Sequence, residues 1–563
     1  MSLRPNTESS IAVAPRLSGE GFVADPLLTA EAARRLLTCL SLLGLIIVWA
    51  RLWPQSGDGD AVTHYLIARN GPGELSLLMS SWARIGAMLP LLLPAQFGIM
   101  AARCTSALIS VICAWQTIRL ADDLELRNAF VAAPLLLLQP LVFALAADTM
   151  TELPMALGLV IAIRLWWARR WLGSALVVSW LPLVRPEGFF VCAMWALMIL
   201  LTPRTGSWSR RLGLAISLAS GVAAWAGACW IICGKPDYFF HDGWSWPLDS
   251  VRVYVNGSFF SYLDRWPTYC GLMLPLFLLG MSRLGHVRWL GGCGIAISVL
   301  QFLLPPRVRE TILPWPMLAI IAALAWSVRR DKLATGWWAF LLIFTLHTIL
   351  WWRGWFASSG LLRIMVCVSP ITAVICLRGW NTAAAWLRRL GVDQQIRRWI
   401  AAAAIGAMAL TAMGYYVEDP IHYRVFGTRA VCEYARDHRL LDAAPLLIPR
   451  DTIALVELNL PPNPSNVLPL VENRAVECQM LLAAPIGSIG FWDDQHQFEP
   501  NNVNLRDLPT LGFTVLFQTR RTIYRPAAWL LGRPRALPQV HVLIRKDRRG
   551  ALPADVAVSN PLK

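Results

Sequence analysis

The sequence has few charged residues for its length. Asp, Glu, Lys and Arg make up 15% of the 563 residues, 56% are hydrophobic, and the mean hydropathy is +0.49. Because an average soluble domain carries about 25% charged residues, this composition excludes an ordinary soluble fold. It predicts a polytopic membrane protein.

Several sequence patterns are also missing. The 12 cysteines form no CxxC pair and no Cys/His ligand spacing, so a structural zinc site is not expected. Cys432 and Cys478 lie in a polar region, where a disulfide can form if that region is exported. A cleavable signal peptide is not expected either, because roughly 35 polar or mixed residues precede the first apolar run.

The positive charge is spread along the chain. The net charge of +16 comes from 51 Lys and Arg against 35 Asp and Glu. These cations punctuate the apolar segments and do not gather on one polar domain, which disfavours nucleic-acid binding. They are typical of residues that flank membrane spans.

Windows of about 20 apolar residues predict about thirteen membrane-spanning helices. They lie within residues 36–417, which form the predicted transmembrane catalytic domain. Arg-rich loops such as Arg169–Arg170 and Arg388–Arg389 alternate along the chain, and the positive-inside rule places them in the cytoplasm. We therefore expect a multi-pass protein of the inner (plasma) membrane, with residues 1–35 as a cytoplasmic tail.

The stretch from Leu75 to Phe97 is apolar, but Arg84, Pro90 and Pro94 interrupt it. Counting it as a span would place every later loop against the charge rule. We expect helices that lie in the outer membrane interface.

Residues 418–563 are polar, contain proline-rich turns, and are predicted to form a small exported α/β domain. Strand-like runs occur at Leu446–Ile448, Phe513–Phe517 and Val540–Ile544. The segment from Phe491 to His496 combines aromatic and carboxylate side chains, which suits sugar binding or a plain turn.

The first predicted outer loop contains Asp58 and Asp60, with His64 one helical turn beyond Asp60 if a helix begins there. Glycines beside these residues allow a tight turn. Carboxylates at a membrane edge suit chemistry, although Asp is also a common helix cap.

Two further charged groups fall on the same predicted side. Asp148 and Glu152 are four residues apart and would share one helix face, where like charges need compensation; a solvated loop is the alternative. Arg185-Pro186-Glu187-Gly188 forms a corner at which proline ends a helix. A purely structural salt bridge would explain that corner equally well.

This arrangement resembles the polytopic glycosyltransferases of the GT-C class. The resemblance covers about the first 400 residues, with acids in the first outer loop, interfacial helices, a second acid and an Arg-Pro-Glu-Gly corner. Many relatives carry an adjacent Asp-Glu pair in the first loop, whereas Ala61 follows Asp60 here.

The resemblance implies an inverting transfer of a sugar from a polyprenyl-phosphate donor to a lipid, glycan or protein acceptor outside the cytoplasm. Asp60 is the expected base, with Asp58 as the second choice. No dedicated metal ligands are expected, although a divalent cation bridging Asp60, Asp148 and Glu152 is an alternative. The expected substrate-binding residues are His64, Asp148, Glu152, Arg185, Glu187, Lys235, Arg307, Arg309 and Arg363. The last four are cations that suit a phosphate, or that extend to the interface without a ligand.

Two other functions fit a polytopic chain. A transporter or flippase would normally show internal repeats and charges near the membrane midplane, and no clear repeat is found. A lipid-linked glycan ligase or polymerase shares the layout but usually lacks a C-terminal region of this size.

Overall fold

The computed structural model describes most of the chain. The described residues are 26–52, 59–241, 257–282, 296–297, 300, 303–329, 331–354, 361–418, 424–441, 445–449, 453–460, 467–470, 474–493, 503–524 and 536–553. Asp58 and Asp494 to His496 lie outside them, as does most of a span expected near residues 289–304.

Helices dominate the described chain, and many are short. The α-helices are Pro26–Leu52, Gly59–Asn70, Leu75–Met79, Ile85–Met88, Leu92–Gln96, Ile99–Asp123, Ala132–Leu137, Pro140–Leu145, Glu152–Trp167, Trp171–Ser179, Leu181–Val184, Glu187–Leu201, Trp208–Ser217, Ser220–Cys233, Tyr238–His241, Ser261–Asp264, Trp266–Cys270, Leu274–Met281, Pro306–Thr311, Pro314–Ser327, Ala334–Arg353, Ser369–Arg389, Gln394–Glu418, Arg424–Asp437, Ile453–Glu457 and Arg474–Ala483. The 3-10 helices are Ser81–Ala83, Leu89–Leu91, Ala129–Val131, Pro203–Thr205, Gly271–Met273 and Leu362–Val368.

The predicted number of thirteen spans is not confirmed. Among the described residues, 6 helices are long and apolar enough to cross a membrane, or up to 7 if a bent helix pair counts as one span. The predicted span at residues 129–147 shows one cause of the difference. It is broken into three short helices, and every residue from 131 to 150 is buried. An apolar window does not distinguish a buried internal helix from a span.

The stretch from Leu75 to Phe97 consists of short helices, as the sequence predicts. Arg84 separates two of them and has a left-handed backbone, with φ 50° and ψ 53°. Pro90 and Pro94 begin or interrupt the next two. Its location in the membrane interface stays a prediction.

One end of the helical region carries a layer of ion pairs. Arg35 Nη1 lies 2.6 Å from Asp122 Oδ2, and Arg378 Nη2 lies 2.9 Å from Asp331 Oδ1. The first pair joins the helix Pro26–Leu52 to the end of Ile99–Asp123, and the second joins the helix Ser369–Arg389 to the turn before Ala334–Arg353. The charge rule predicts that these residues face the cytoplasm.

The helices Leu274–Met281 and Ser369–Arg389 cross closely, because each contributes a glycine to the crossing. A Cβ atom added at Gly280 would lie 1.9 Å from the carbonyl oxygen of Ile375, and one at Gly379 would lie 1.9 Å from that of Leu276. Small residues that let helix backbones approach are typical of membrane helix packing.

The C-terminal region contains a five-stranded mixed sheet. Its strands are β1 (Leu446–Pro449), β2 (Val467–Leu470), β3 (Ile489–Asp493), β4 (Phe513–Tyr524) and β5 (Ala536–Lys546). The order is β2-β1-β3-β5-β4; β1 pairs in parallel with β2 and β3, whereas β5 pairs antiparallel with β3 and β4. The three predicted strand runs fall in β1, β4 and β5, and export of this region stays a prediction.

The sheet packs against the helical region. Helix Ile453–Glu457 contacts helix Gly59–Asn70, and Leu446, Ile448 and Leu543 share a hydrophobic core with Val62 of that helix. The C-terminal region therefore supports the helix that carries Asp60.

Two possibilities considered for this region are not supported. Cys432 and Cys478 are both buried but lie in different hydrophobic cores, so they form no disulfide with each other. Phe491 and Trp492 are also buried, and the indole of Trp492 donates to the carbonyl of Val503 at 3.0 Å. These rings therefore offer no exposed platform for a sugar.

Replacing Gly379 by Ala should destabilise the protein by about 1–3 kcal/mol, because the added methyl overpacks the helix crossing. The matched control is Gly406→Ala, where a Cβ meets nothing within 4 Å; it should be neutral or stabilise by about 0.5–1 kcal/mol. Thermal unfolding of both variants in detergent measures the difference. If Gly379→Ala and Gly406→Ala unfold with the same thermal midpoint, the close crossing of the two helices at Gly379 is contradicted.

Candidate active site

Five segments of the helical region bring charged side chains together. They are the start of helix Gly59–Asn70, the start of helix Glu152–Trp167, the corner at 185–187, the helix Ala334–Arg353 and the 3-10 helix Leu362–Val368. We call the group Asp60, Glu152, Arg185, Glu187, His347 and Arg363 the charged cluster. Its members are far apart in sequence and meet only in the fold.

Asp60 forms an ion pair with Arg363. The same arginine reaches Glu152, since its Nε lies 3.6 Å from Glu152 Oε1. Asp60 lies in the first turn of its helix, where the helix dipole favours a negative charge. The side chain of Asp60 is 32% exposed, whereas that of Glu152 is fully buried.

Arg185 is the centre of the buried part of the charged cluster. It donates to both carboxylate oxygens of Glu187, from Nη2 at 3.0 Å and from Nε at 3.2 Å. Its Nη1 lies 2.8 Å from Glu152 Oε1 and donates to Thr151 Oγ1 at 3.0 Å. The predicted pairing within the corner is confirmed, and Glu152 is added to it.

The burial of Glu152 and Glu187 explains why arginines are needed here. An ionised carboxylate in a dry interior is costly unless it is paired and hydrogen-bonded. The guanidinium of Arg185 supplies a planar set of donors that matches both acids. Of the three carboxylates in the charged cluster, Asp60 is therefore the one that a bound substrate can reach.

Arg84 faces the same group, although the sequence marked it only as an interruption. Its guanidinium lies over the ring of Trp82, 5.6 Å from the centroid. Burial, followed by the positive charge of Arg185, lowers the pKa of Arg84 to about 10, while Glu187, Asp60 and Glu152 act against that shift. Two guanidinium groups this close favour a bound anion.

His64 is buried and links two segments of the site. Its Nδ1 lies 3.2 Å from the carbonyl oxygen of Thr149, and its ring stacks on Trp82 at 6.2 Å. Burial, followed by the charge of Arg84, lowers the pKa of His64 to about 3. The ring is neutral at pH 7 and donates to Thr149, so it fixes the helix that carries Asp60. A role in substrate binding stays a prediction.

The expectation that Asp148 and Glu152 share one helix face is wrong. Glu152 begins the helix, and Asp148 lies in the preceding loop. Asp148 Oδ1 is 3.9 Å from Nη2 of buried Arg103, which also donates from Nε to the carbonyl of Ala147 at 3.0 Å. Asp148 and Glu152 thus pair with different arginines.

These pairings do not favour the metal bridge considered from the sequence. Within the described part of the chain, no group of three His, Cys, Asp or Glu side chains is placed to hold a metal ion. Asp60, Asp148 and Glu152 face Arg363, Arg103 and Arg185, respectively.

The other predicted cations lie in different places. Arg309 donates to its neighbour Glu310 at 3.0 Å, and Glu310 accepts from the backbone of Phe259. Lys235 is exposed, just after the helix Ser220–Cys233. Arg307 lies in the helix Pro306–Thr311, but its side chain is outside the described structure. Their roles in substrate binding stay predictions.

His347 is a member of the charged cluster that the sequence analysis missed. It is fully buried in an apolar helix, and its Nε2 lies 3.0 Å from Glu187 Oε1. Its position in the sequence could have revealed it, because an ionisable residue inside an apolar span usually has a functional partner.

Comparison with known proteins identifies structural neighbours. No protein-family model and no curated protein matches the chain. The crystal structure of ArnT from Cupriavidus metallidurans bound to undecaprenyl phosphate is similar over 92% of this chain and 98% of its own, with 13% identity and a TM-score of 0.45. The apo state is similar over 91% and 98%, with 13% identity and a TM-score of 0.48.

ArnT is a GT-C glycosyltransferase, the class that the sequence resembles. At 13% identity and with TM-scores below 0.5, this likeness does not assign an activity. The side chains of the site itself must support one.

Replacing Arg185 by Met should lower the free energy of unfolding by about 3–5 kcal/mol, because it leaves two buried carboxylates without their main partner. Combining Arg185→Met with Glu152→Gln and Glu187→Gln should recover much of that loss, since no buried charge of the trio remains. Thermal unfolding in detergent compares the variants. If Arg185→Met alone unfolds at the same temperature as the wild type, the buried network does not contribute to stability as described.

Proposed function

We propose that the protein is an integral membrane glycosyltransferase of the GT-C class. It transfers a sugar from a polyprenyl-phosphate donor to a lipid, glycan or protein acceptor at the extracytoplasmic face. The observation that carries this proposal is Asp60, a partly exposed carboxylate beside arginines in an otherwise buried charged cluster.

The proposed reaction is a single displacement with inversion. Asp60 accepts the proton of the acceptor hydroxyl as its oxygen bonds to the anomeric carbon of the sugar. The bond between that carbon and the phosphate oxygen breaks, and the phosphate leaves with the electron pair. Asp58 is the alternative base from the same loop.

Arginines support the departure of the phosphate. Arg363 pairs with Asp60, and the positive charge of Arg185 disfavours the charged form of Arg84. A phosphate bound by Arg84 and Arg363 would offset that effect on Arg84 and receive planar donors as its own charge develops. When Arg363 turns to the phosphate, Asp60 becomes available to receive the proton.

The location of the site is part of the proposal. The ion pairs Arg35–Asp122 and Arg378–Asp331 lie where the charge rule places cytoplasmic loops and the adjoining ends of predicted spans. All members of the charged cluster except His347 lie in segments that the same rule assigns to the outside. We therefore propose an inner-membrane enzyme whose site and C-terminal region are extracytoplasmic.

A transporter or flippase of lipid-linked or small substrates is the second candidate. One observation favours it: the helices Trp208–Ser217 and Ser220–Cys233 form a pair bent by 41°. Broken helices of this kind often line transport sites. A ligase or polymerase of lipid-linked glycans would use the same chemistry on a longer donor.

Replacing Asp60 by Asn should reduce transfer by about 10²–10⁴-fold, because the amide cannot accept the acceptor proton. The assay supplies purified protein with a mixed pool of polyprenyl-phosphate sugars and an extract of membrane lipids and glycans as the source of acceptors, and it measures the loss of each donor by mass spectrometry. Asp331→Asn is the matched control, since Asp331 is 27% exposed and paired with Arg378; it should stay within about 2-fold of the wild type.

An active Asp60→Asn variant would remove Asp60 from the role of base. If folded wild-type protein consumes no donor, the transferase proposal loses its support. Flux of the same lipids in proteoliposomes would then favour the transporter.

A topology measurement tests the assigned faces. A reporter that is active only in the periplasm should be active when fused after Lys563, and inactive when fused after Arg389, because that loop is cationic. Activity at Arg389 or its absence at Lys563 would overturn the orientation.

A further inference from the structure

His347 lies at the far end of a continuous chain of charged contacts. Its Nε2 is 3.0 Å from Glu187 Oε1, the same oxygen that accepts from Arg185 Nη2. Neither His347 nor Glu187 is exposed by more than 2%. Glu187 Oε1 therefore lies 3.0 Å from two nitrogen atoms, one from the corner at 185–187 and one from the helix Ala334–Arg353.

The chain continues from Glu187 to the surface of the site. Arg185 joins Glu187 to Glu152, and Glu152 Oε1 lies 2.8 Å from Arg185 Nη1 and 3.6 Å from Arg363 Nε. Arg363 in turn pairs with Asp60. Each arginine is thus shared between two acids, so a change in its attraction to one acid alters its hold on the other.

Loss of the His347 donor has a predictable sign along this chain. Glu187 would attract Arg185 more strongly, because one of its donors is gone. Glu152 would then lose part of its bond to Arg185 and attract Arg363. The ion pair between Arg363 and Asp60 would weaken, and a carboxylate in a weaker ion pair takes up a proton at higher pH.

We propose that His347 is a positioning residue for Asp60, acting through Glu187, Arg185, Glu152 and Arg363. The inference rests on the proposed function, because it assumes that Asp60 is the base. His347 itself touches no substrate and holds the geometry from within the helix Ala334–Arg353.

The groups that face both ends of the chain are few among the described residues. His347 faces Glu187 from the helix Glu187–Leu201 and Tyr262 from Ser261–Asp264, with ring centroids 6.5 Å apart. Asp60 faces Arg363 and is also within the electrostatic reach of Arg84. Arg84 also interacts electrostatically with Arg185, Glu187 and Glu152. It therefore adds a background positive charge along the whole chain of contacts, whereas the direct ion pairs run through Arg185 and Arg363.

The test compares three variants of the purified full-length protein. His347→Leu removes the donor, whereas His347→Gln places an amide N–H near the position of Nε2. Thr348→Val is the matched control. Thr348 is the next residue of the same helix and is 1% exposed, but it takes no part in the series of charged contacts from His347 to Asp60. Each variant is measured for kcat/KM against pH and for infrared carboxylate bands against pH, with Asp60→Asn assigning the Asp60 band.

We expect His347→Leu to move the acid limb of the pH profile upward by about one unit, which is a ten-fold loss of kcat/KM at pH values below the limb. The Asp60 infrared band should move with it. His347→Gln should restore both, and Thr348→Val should leave the limb in place. A purely structural role would lower stability in the Leu and Val variants alike without moving the limb.

The two measurements separate the inference from the function on which it rests. An unmoved Asp60 band in folded His347→Leu protein would overturn the positioning role, whether or not transfer is detected. A moved band in a protein that transfers no sugar would support the link while removing the proposed function.

Discussion

The site depends on the pairing of Arg185 with two buried acids. Glu152 and Glu187 are removed from water, and a buried carboxylate is tolerated only when charge and hydrogen bonds replace its hydration. Arg185 supplies its charge to both acids at once and donates hydrogen bonds to Glu187. Because its guanidinium is planar and rigid, it also orients them. The fold must therefore bring the corner at 185–187 and the start of helix Glu152–Trp167 together.

The pairing of Arg185 with the two buried acids also helps to position Asp60. Glu152 reaches Arg363, and Arg363 holds Asp60 at the solvent-accessible edge of the charged cluster. His64 ties the same helix to the loop that precedes Glu152, and the C-terminal region packs against that helix. The carboxylate proposed as the base is thus held on rigid elements by a buried network, which is the arrangement that electrostatic catalysis requires.

Much of this site could be predicted from local sequence. Asp60, Glu152, Arg185, Glu187 and Arg363 stood out because a charge at the end of an apolar segment is costly and seldom accidental. Strands β1, β4 and β5 were visible because their apolar runs are bounded by turns, whereas β2 and β3 were not predicted.

The partners of these residues could not be read from the sequence. Arg84, Arg103 and His347 reach the acids across distances in sequence that only the fold closes. Spacing of four residues suggested one helix face for Asp148 and Glu152, but the helix begins at Glu152 and separates them. The predicted number of spans is not confirmed among the described residues, because internal helices such as Ala132–Leu137 are as apolar as spans.

A structure of the Asp60→Asn variant with a polyprenyl-phosphate sugar bound would test the central claim most directly. The account predicts the phosphate within hydrogen-bond distance of Arg363 and Arg84, and the anomeric carbon facing residue 60 across a space that fits an acceptor hydroxyl. A donor bound elsewhere, or one whose phosphate is held by Arg309 or Lys235 and not by these arginines, would contradict it.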